Sequence, residues 1–304
     1  MSESIAHGDE RELRAALGLR QPRTAEEHRM TGSDVRDVAL VTGASSGIGV
    51  EIARLLASRG HNLVLAARRT ELMEDLAQRL RNSHGVDVLV LACDLSLPGA
   101  ARSLHKQVVD SGRQVTLLVN NAGATLEGRY LDFATAEQTG SVNLLAVNPA
   151  ELIHCCLPAM LERGDGRVLT ISSLGAYWPC LPGITVYAGS KALVVNLTRT
   201  LDAEYRGSGV RFSATVPFTT DTAFIDTPTN REIVGRMPRF MIQTPADVAR
   251  IAIDGVDAGR IVQHTSVVNR LLAGILKTLP PALVARAIIA FMSLGRDDIK
   301  ASRS

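Results

Sequence analysis

The chain has no CxxC pair. Its four cysteines, Cys93, Cys155, Cys156 and Cys180, fall at spacings that suit neither a redox dithiol nor a metal site, so they read as small packing residues and no metal is expected. No secretory signal precedes the first strand-like run, which makes a reducing cytoplasm the expected compartment. No concentrated basic face is present either. With a formal net charge of +2, nucleic acid is not expected as a partner. No apolar run approaches the roughly 20 continuous residues that a bilayer span needs, and there is no internal repeat or low-complexity segment. Aromatic residues make up only 4% of the 304, yet 46% are hydrophobic. That is enough for one large core, and a single α/β domain with extensions fits best.

The most informative stretch is Thr42-Gly43-Ala44-Ser45-Ser46-Gly47-Ile48-Gly49, which follows the apolar run Val38 to Val41 and opens a helical run from Val50 to Ser58. A pyrophosphate is held by the free N–H groups and the positive end of a helix N-terminus only where the backbone comes close. A side chain on the glycines would block that approach. Gly43 makes the turn, Gly47 permits the approach and Gly49 lets helix pack on strand.

Residues 1 to 36 mix charges of both signs with few large apolar side chains and read as a mobile tail, with one short amphipathic stretch from Glu10 to Leu19. Strand-like and helix-like runs then alternate. Strands are expected at Asn62 to Ala67, Asp87 to Cys93, Val115 to Val119, Arg167 to Ser172 and Val210 to Val216. Helices are expected at Glu71 to Arg81, Pro98 to Ser111, Ala136 to Leu161 and Ala188 to Tyr205, with a break at Asn148-Pro149. This alternation specifies a Rossmann-type doubly wound parallel sheet, a three-layer α/β/α fold, with the ligand at the carboxyl ends of the strands.

Four motifs occur in order: the glycine loop, Asn120-Asn121-Ala122-Gly123, Ser172-Ser173, and Tyr187-x-x-x-Lys191. Tyr187 and Lys191 share one helix face at i and i+4, where an ammonium would stabilise a phenolate. Together these motifs resemble the classical short-chain dehydrogenase/reductase family over residues 38 to 262. The resemblance implies a catalytic tetrad of Asn143, Ser173, Tyr187 and Lys191. In that tetrad Tyr187 handles the proton, Lys191 lowers its pKa and holds the nicotinamide ribose, Ser173 holds the substrate oxygen, and the Asn143 carbonyl holds a relay water. Ser173 stands fourteen residues before Tyr187, one more than the family pattern, so Ser172 is the alternative.

The resemblance also implies a nicotinamide cofactor touching Gly43, Ser45, Ser46, Gly47, Ile48 and Gly49, with Asp94 and Leu95 beside the adenine and Asn120, Ala122 and Gly123 beside the ribose and nicotinamide. Tyr187, Lys191, Pro217 and Thr222 complete the set. The second strand ends in Ala67-Arg68-Arg69 rather than in an acid, which favours NADP(H) over NAD(H): Arg68 would meet the 2′-phosphate, Ser45 would add a neutral hydrogen bond, and Arg69 reads as a solvated helix-start residue.

Phe218 stands where the family usually has glycine after Pro217. It reads either as an apolar ring beside the nicotinamide, as in the long-chain 3-oxoacyl and steroid reductase branch, or as filler beneath the loop. The stretch from Thr219 to Thr244 is expected to cover the substrate. Residues 263 to 304 read as an apolar helical extension after a catalytic domain of residues 37 to 262, and no acid occurs from 265 to 295. That surface must be buried over the substrate pocket, between subunits, or as peripheral contact with a membrane.

The expectation is a homodimeric or homotetrameric reductase of a lipophilic carbonyl. A cofactor-binding sensor and an alcohol dehydrogenase running in the oxidative direction are the alternatives.

Overall fold

The computed structural model describes residues 36–180, 182–221 and 242–286. Seven parallel strands form one sheet: β1 (Arg36–Thr42), β2 (Leu63–Ala67), β3 (Val88–Ala92), β4 (Arg113–Asn120), β5 (Gly166–Ile171), β6 (Val210–Val216) and β9 (Val262–His264). Their spatial order is β3-β2-β1-β4-β5-β6-β9. The order reverses between β1 and β4, and a crevice opens there at the carboxyl ends. A separate parallel pair joins β7 (Thr219–Thr220) to β8 (Ile242–Gln243).

Because successive strand residues point to opposite faces, each strand feeds two cores. Ala39, Val41, Leu63 and Leu65 face a layer built by α1 (Gly47–Ser58), α2 (Thr70–His84) and α7 (Pro245–Asp257). Val38, Leu40, Val64 and Ala66 face the other layer, built by α3 (Ala100–Asp110), α5 (Asn148–Arg163) and α6 (Thr185–Glu204). The doubly wound α/β expectation therefore holds.

Four details differ from the sequence reading. The break expected at Asn148-Pro149 lies one turn earlier, where α4 (Thr135–Val142) passes through a π-helical turn, Asn143–Val147, into α5. Pro149 sits in the first turn of α5, where its missing N–H costs nothing. Strand β9 and helix α7 went unread; β9 has only three residues, too few for a periodic signal. Strand β9 also pairs with β6 from Val262 to His264, so the domain boundary placed at residue 262 cuts through a strand of the main sheet. At the other end the tail stops one residue sooner than expected, since Arg36 already belongs to β1. The remaining tail, and the stretches 222–241 and 287–304, lie outside the described residues.

Helix α8 (Val267–Thr278) packs on this edge through Leu272, Ala273 and Leu276, against Leu174, Ala214 and Val216. Asn269 secures it by donating to the Val216 carbonyl.

Candidate active site

The glycine loop is built by close approach. Gly43 (φ 67°) and Gly47 (φ 59°) take left-handed backbone that other residues rarely adopt. A Cβ on Gly49 would lie 2.4 Å from the Gly43 carbonyl oxygen and 2.6 Å from Asn121 Nδ2. Thr42 braces the loop from below: its hydroxyl accepts from the N–H groups of Asn121 (3.0 Å) and Ala122 (3.1 Å). Asn121 in turn donates to the carbonyls of Thr42 (2.9 Å) and Gly43 (3.3 Å). The first turn of α1 carries no acid, so the positive end of the helix faces the crevice without a competing carboxylate.

A cleft of about 550 Å³ runs from this loop across the switch point. Gly43, Ser45, Ser46, Gly47, Ile48, Arg68, Asp94, Leu95, Ala122, Gly123 and Pro217 line it, together with Ser173, Tyr187 and Lys191. Gly49 packs just behind. A cradle lined by the bare backbone of Gly43 and Gly47, held in shape by the close packing at Gly49 and open beside a helix N-terminus, fits a dinucleotide.

Asn120, expected beside the ribose, instead turns into the core and donates to the Pro149 carbonyl at 3.1 Å, because the pleat aims it at α5. Its neighbour Asn121 lines the cleft. Thr222 lies outside the described residues. Phe218 both lines the cleft and packs against the cluster under α8, so its two readings coexist. Its φ is not positive, and the loop there carries no strain from losing the family's glycine.

At the adenosine end, Arg69 is exposed at the start of α2, as expected of a solvated helix-start residue, and it also reaches the glycine loop. It donates to the hydroxyls of Ser45 (3.1 Å) and Ser46 (3.0 Å) and ties the start of α2 to the glycine loop. Which of two adjacent arginines bends back depends on the turn after β2, and no sequence signal carries that. Burial opposes the charge on Asp94, but hydrogen bonds from Ser96 Oγ (2.7 Å) and N–H (2.9 Å), with Arg68 nearby, hold its carboxyl below the ordinary range. Cys93 also lines this end, its thiol pushed up to about 11 by burial and then by Asp94.

At the other end, Ser173 and Tyr187 are hydrogen-bonded side chain to side chain. Ser172, the alternative, turns away and donates to the Lys191 carbonyl at 2.9 Å. Lys191 is buried, with Nζ 5.7 Å from the centre of the Tyr187 ring and 2.7 Å from the Ile171 carbonyl, to which it donates. Burial pushes its pKa down to about 8. Burial also raises the Tyr187 phenol, and only the Ser173 hydrogen bond draws it back. Tyr187 thus stands above its ordinary value, with the Lys191 ammonium seated on the Ile171 carbonyl beside its ring.

Asn143 stands outside the cleft lining. Its side chain donates to the Ser96 carbonyl at 3.0 Å, and its own carbonyl accepts from the N–H of Asn148 at the end of the π turn.

A doubly wound sheet with a dinucleotide cradle and a serine, tyrosine and lysine meeting at its switch point defines a nicotinamide-dependent oxidoreductase. Residues 37–232 match the family model for short chain dehydrogenases, and the chain belongs to that family. Oxidoreductase UcpA of Salmonella typhimurium is 34% identical over 179 residues, covering 59% of this chain and 67% of that protein. The very-long-chain 3-oxoacyl-CoA reductase of Anas platyrhynchos is 30% identical over 224 residues, covering 72% and 68%. A short-chain dehydrogenase from Sphingobium yanoikuyae, solved with NADPH, superposes with a TM-score of 0.68 at 26% identity, over 81% of this chain and 96% of that one.

Proposed function

We propose that the protein is an NADPH-dependent reductase that converts a lipophilic ketone or aldehyde, acyl or steroid-like, to the alcohol, working in a reducing cytoplasm. The observation that carries this reading is the meeting of Ser173, Tyr187 and Lys191 at one end of a cleft whose other end holds Arg68 and Arg69 and no acid at the close of β2. A bound nicotinamide supplies the hydride. Tyr187 gives its phenolic proton to the carbonyl oxygen, so hydride and proton together yield the alcohol. Ser173 holds that oxygen as charge develops on it. Lys191 stabilises the phenolate left behind and positions the ribose, and Asn143, at the start of the π turn, secures the return path of the proton.

Arg68 and Arg69 offer two guanidinium groups for a 2′-phosphate, an arrangement that NAD(H) would leave unused. The apolar lining from Phe218, Leu144 and Pro217 supports a lipophilic substrate, as does the resemblance to a 3-oxoacyl-CoA reductase. Val142, Val147 and Leu193 lie exposed on the outer face of α4, the π turn and α6, which supports a homodimer or homotetramer formed there.

The test is NADPH oxidation against small aldehydes, steroids, and 3-oxoacyl esters and thioesters of increasing chain length, with NADH in parallel. Rates rising with chain length and preferring NADPH are expected. Tyr187→Phe should lower turnover by about a thousandfold or more while NADPH still binds, as expected on removal of the acid itself. Loss of both activities together, or a preference for NADH, would count against the reading.

A further inference from the structure

Helix α8 carries an apolar stripe on the side away from the protein. Val267, Leu271 and Ile275 are 61%, 62% and 50% exposed, and the same four-residue spacing continues past the end of the helix to Leu279 and Leu283. The inner face of α8 is already satisfied by Asn269, Leu272, Ala273 and Leu276. The stripe is therefore surplus to packing, and a soluble surface seldom keeps such a row uncovered.

One flank of this stripe is cationic. Arg270 and Lys277, seven residues apart, stand on the same side of the helix. Lys277 Nζ lies 4.1 Å from the centre of the Tyr177 ring, and Arg199 of α6 approaches the same ring at 6.0 Å while donating to the Tyr177 hydroxyl at 3.4 Å. The His264 ring lies 5.8 Å from that of Tyr177. Among the described residues, Arg199, Arg270 and Lys277 have no carboxylate partner, and residues 265 to 295 contain no acid. Burial, and after it the nearby charge of Arg199, lower the pKa of Lys277.

From this juxtaposition we infer that the α8 face docks on the surface of a membrane containing anionic phospholipid. The stripe enters the boundary between headgroups and acyl chains, and Arg270, Lys277 and Arg199 meet the lipid phosphates. At 12 residues α8 is too short to span a bilayer, and it lies in the interfacial plane. Charge decides against a second copy as the occupant. A two-fold contact through this stripe sets Arg270 and Lys277 of one protomer against the same residues of the other, and like charges facing each other oppose association. Phe218, which lines the cleft, packs in the same cluster as Tyr177, Leu272 and Leu276, so docking brings the substrate side of the molecule to the bilayer. The inference holds whatever the substrate is.

The experiment is co-sedimentation of the full-length protein with vesicles of phosphatidylcholine alone and of phosphatidylcholine with a third phosphatidylglycerol. The protein should pellet with the anionic vesicles, stay in solution with the neutral ones, and release as salt is raised to about 0.5 M. Leu271→Glu/Ile275→Glu should stay in solution with both. Arg270→Glu/Lys277→Glu should weaken anionic binding by tenfold or more. All four positions are exposed, and far-UV circular dichroism with NADPH binding verifies that each variant folds. Failure of the parent protein to pellet with anionic vesicles, or pelleting by the leucine and isoleucine variant equal to the parent, would overturn the inference. A drop in oligomeric state on sedimentation velocity for that variant would do the same, because the face would then lie between copies of the chain.

Discussion

At Lys191 the cost of a functional group can be read directly. Its pKa of about 8 lies below that of an exposed lysine, so between pH 8 and 10.5 the unfolded chain binds more protons than the folded one. Stability must therefore rise with pH through that window, and below pH 8 the buried charge costs up to about 3 kcal/mol. Lys191→Met should abolish turnover, melt no lower than the parent at pH 7, and lose the gain in stability between pH 8 and 10. Thermal melts at both pH values check this. In the intact enzyme kcat/KM should fall as the pH passes about 8 and the ammonium is lost, a trend visible in a pH profile of the free enzyme.

Arg69 allows a second residue-scale test. Its hydrogen bonds to Ser45 and Ser46 place it beside the loop, so Arg69→Ala should raise KM for NADPH by about tenfold or more and leave KM for NADH nearly unchanged.

Among the elements, the glycine loop is the least tolerant. Gly49→Ala must push a methyl group into the Gly43 carbonyl, a backbone atom that cannot swing aside. A loss of about 1–3 kcal/mol in stability is expected, with NADPH binding lost as the loop shifts. Gly274, inside α8, meets nothing within 4 Å of an added Cβ. Gly274→Ala should stabilise by about 0.5–1 kcal/mol through helix propensity. Circular dichroism melts of the two variants should move in opposite directions.

The same contrast shows how legible the elements were. The loop and the strands before and after it could be read because their chemistry is local: a glycine where φ is positive, apolar residues where a strand is buried. The break expected at Asn148-Pro149 lies one helical turn from the π turn because Pro149 signals a break, yet a proline in a first helical turn is tolerated, and the wide turn is held by contacts such as Asn143 to Ser96 across 47 residues.

For the whole molecule, one sheet runs through both core layers and carries α8 on its far edge. No interface divides the described residues into units with separate cores, so thermal unfolding should be a single transition. NADPH at a hundred times its dissociation constant should add about 2.7 kcal/mol of stability and raise the midpoint with the logarithm of its concentration. Calorimetry with and without the cofactor checks this, and an unshifted midpoint would mean that the cleft does not hold it.

The amino-acid order alone determined the doubly wound class, the dinucleotide cradle and the pairing of Tyr187 with Lys191, because each rests on spacing within one strand, one loop or one helix face. Tertiary structure decided the rest. It chose Ser173 over Ser172 as the neighbour of Tyr187 and seated the Lys191 ammonium on the Ile171 carbonyl. It also turned Asn120 into the core, bent Arg69 back to the loop, and left one face of α8 bare beside three cations. Each of these depends on which atoms meet across tens of residues, and burial and distance there are properties of the packed sheet rather than of any local run.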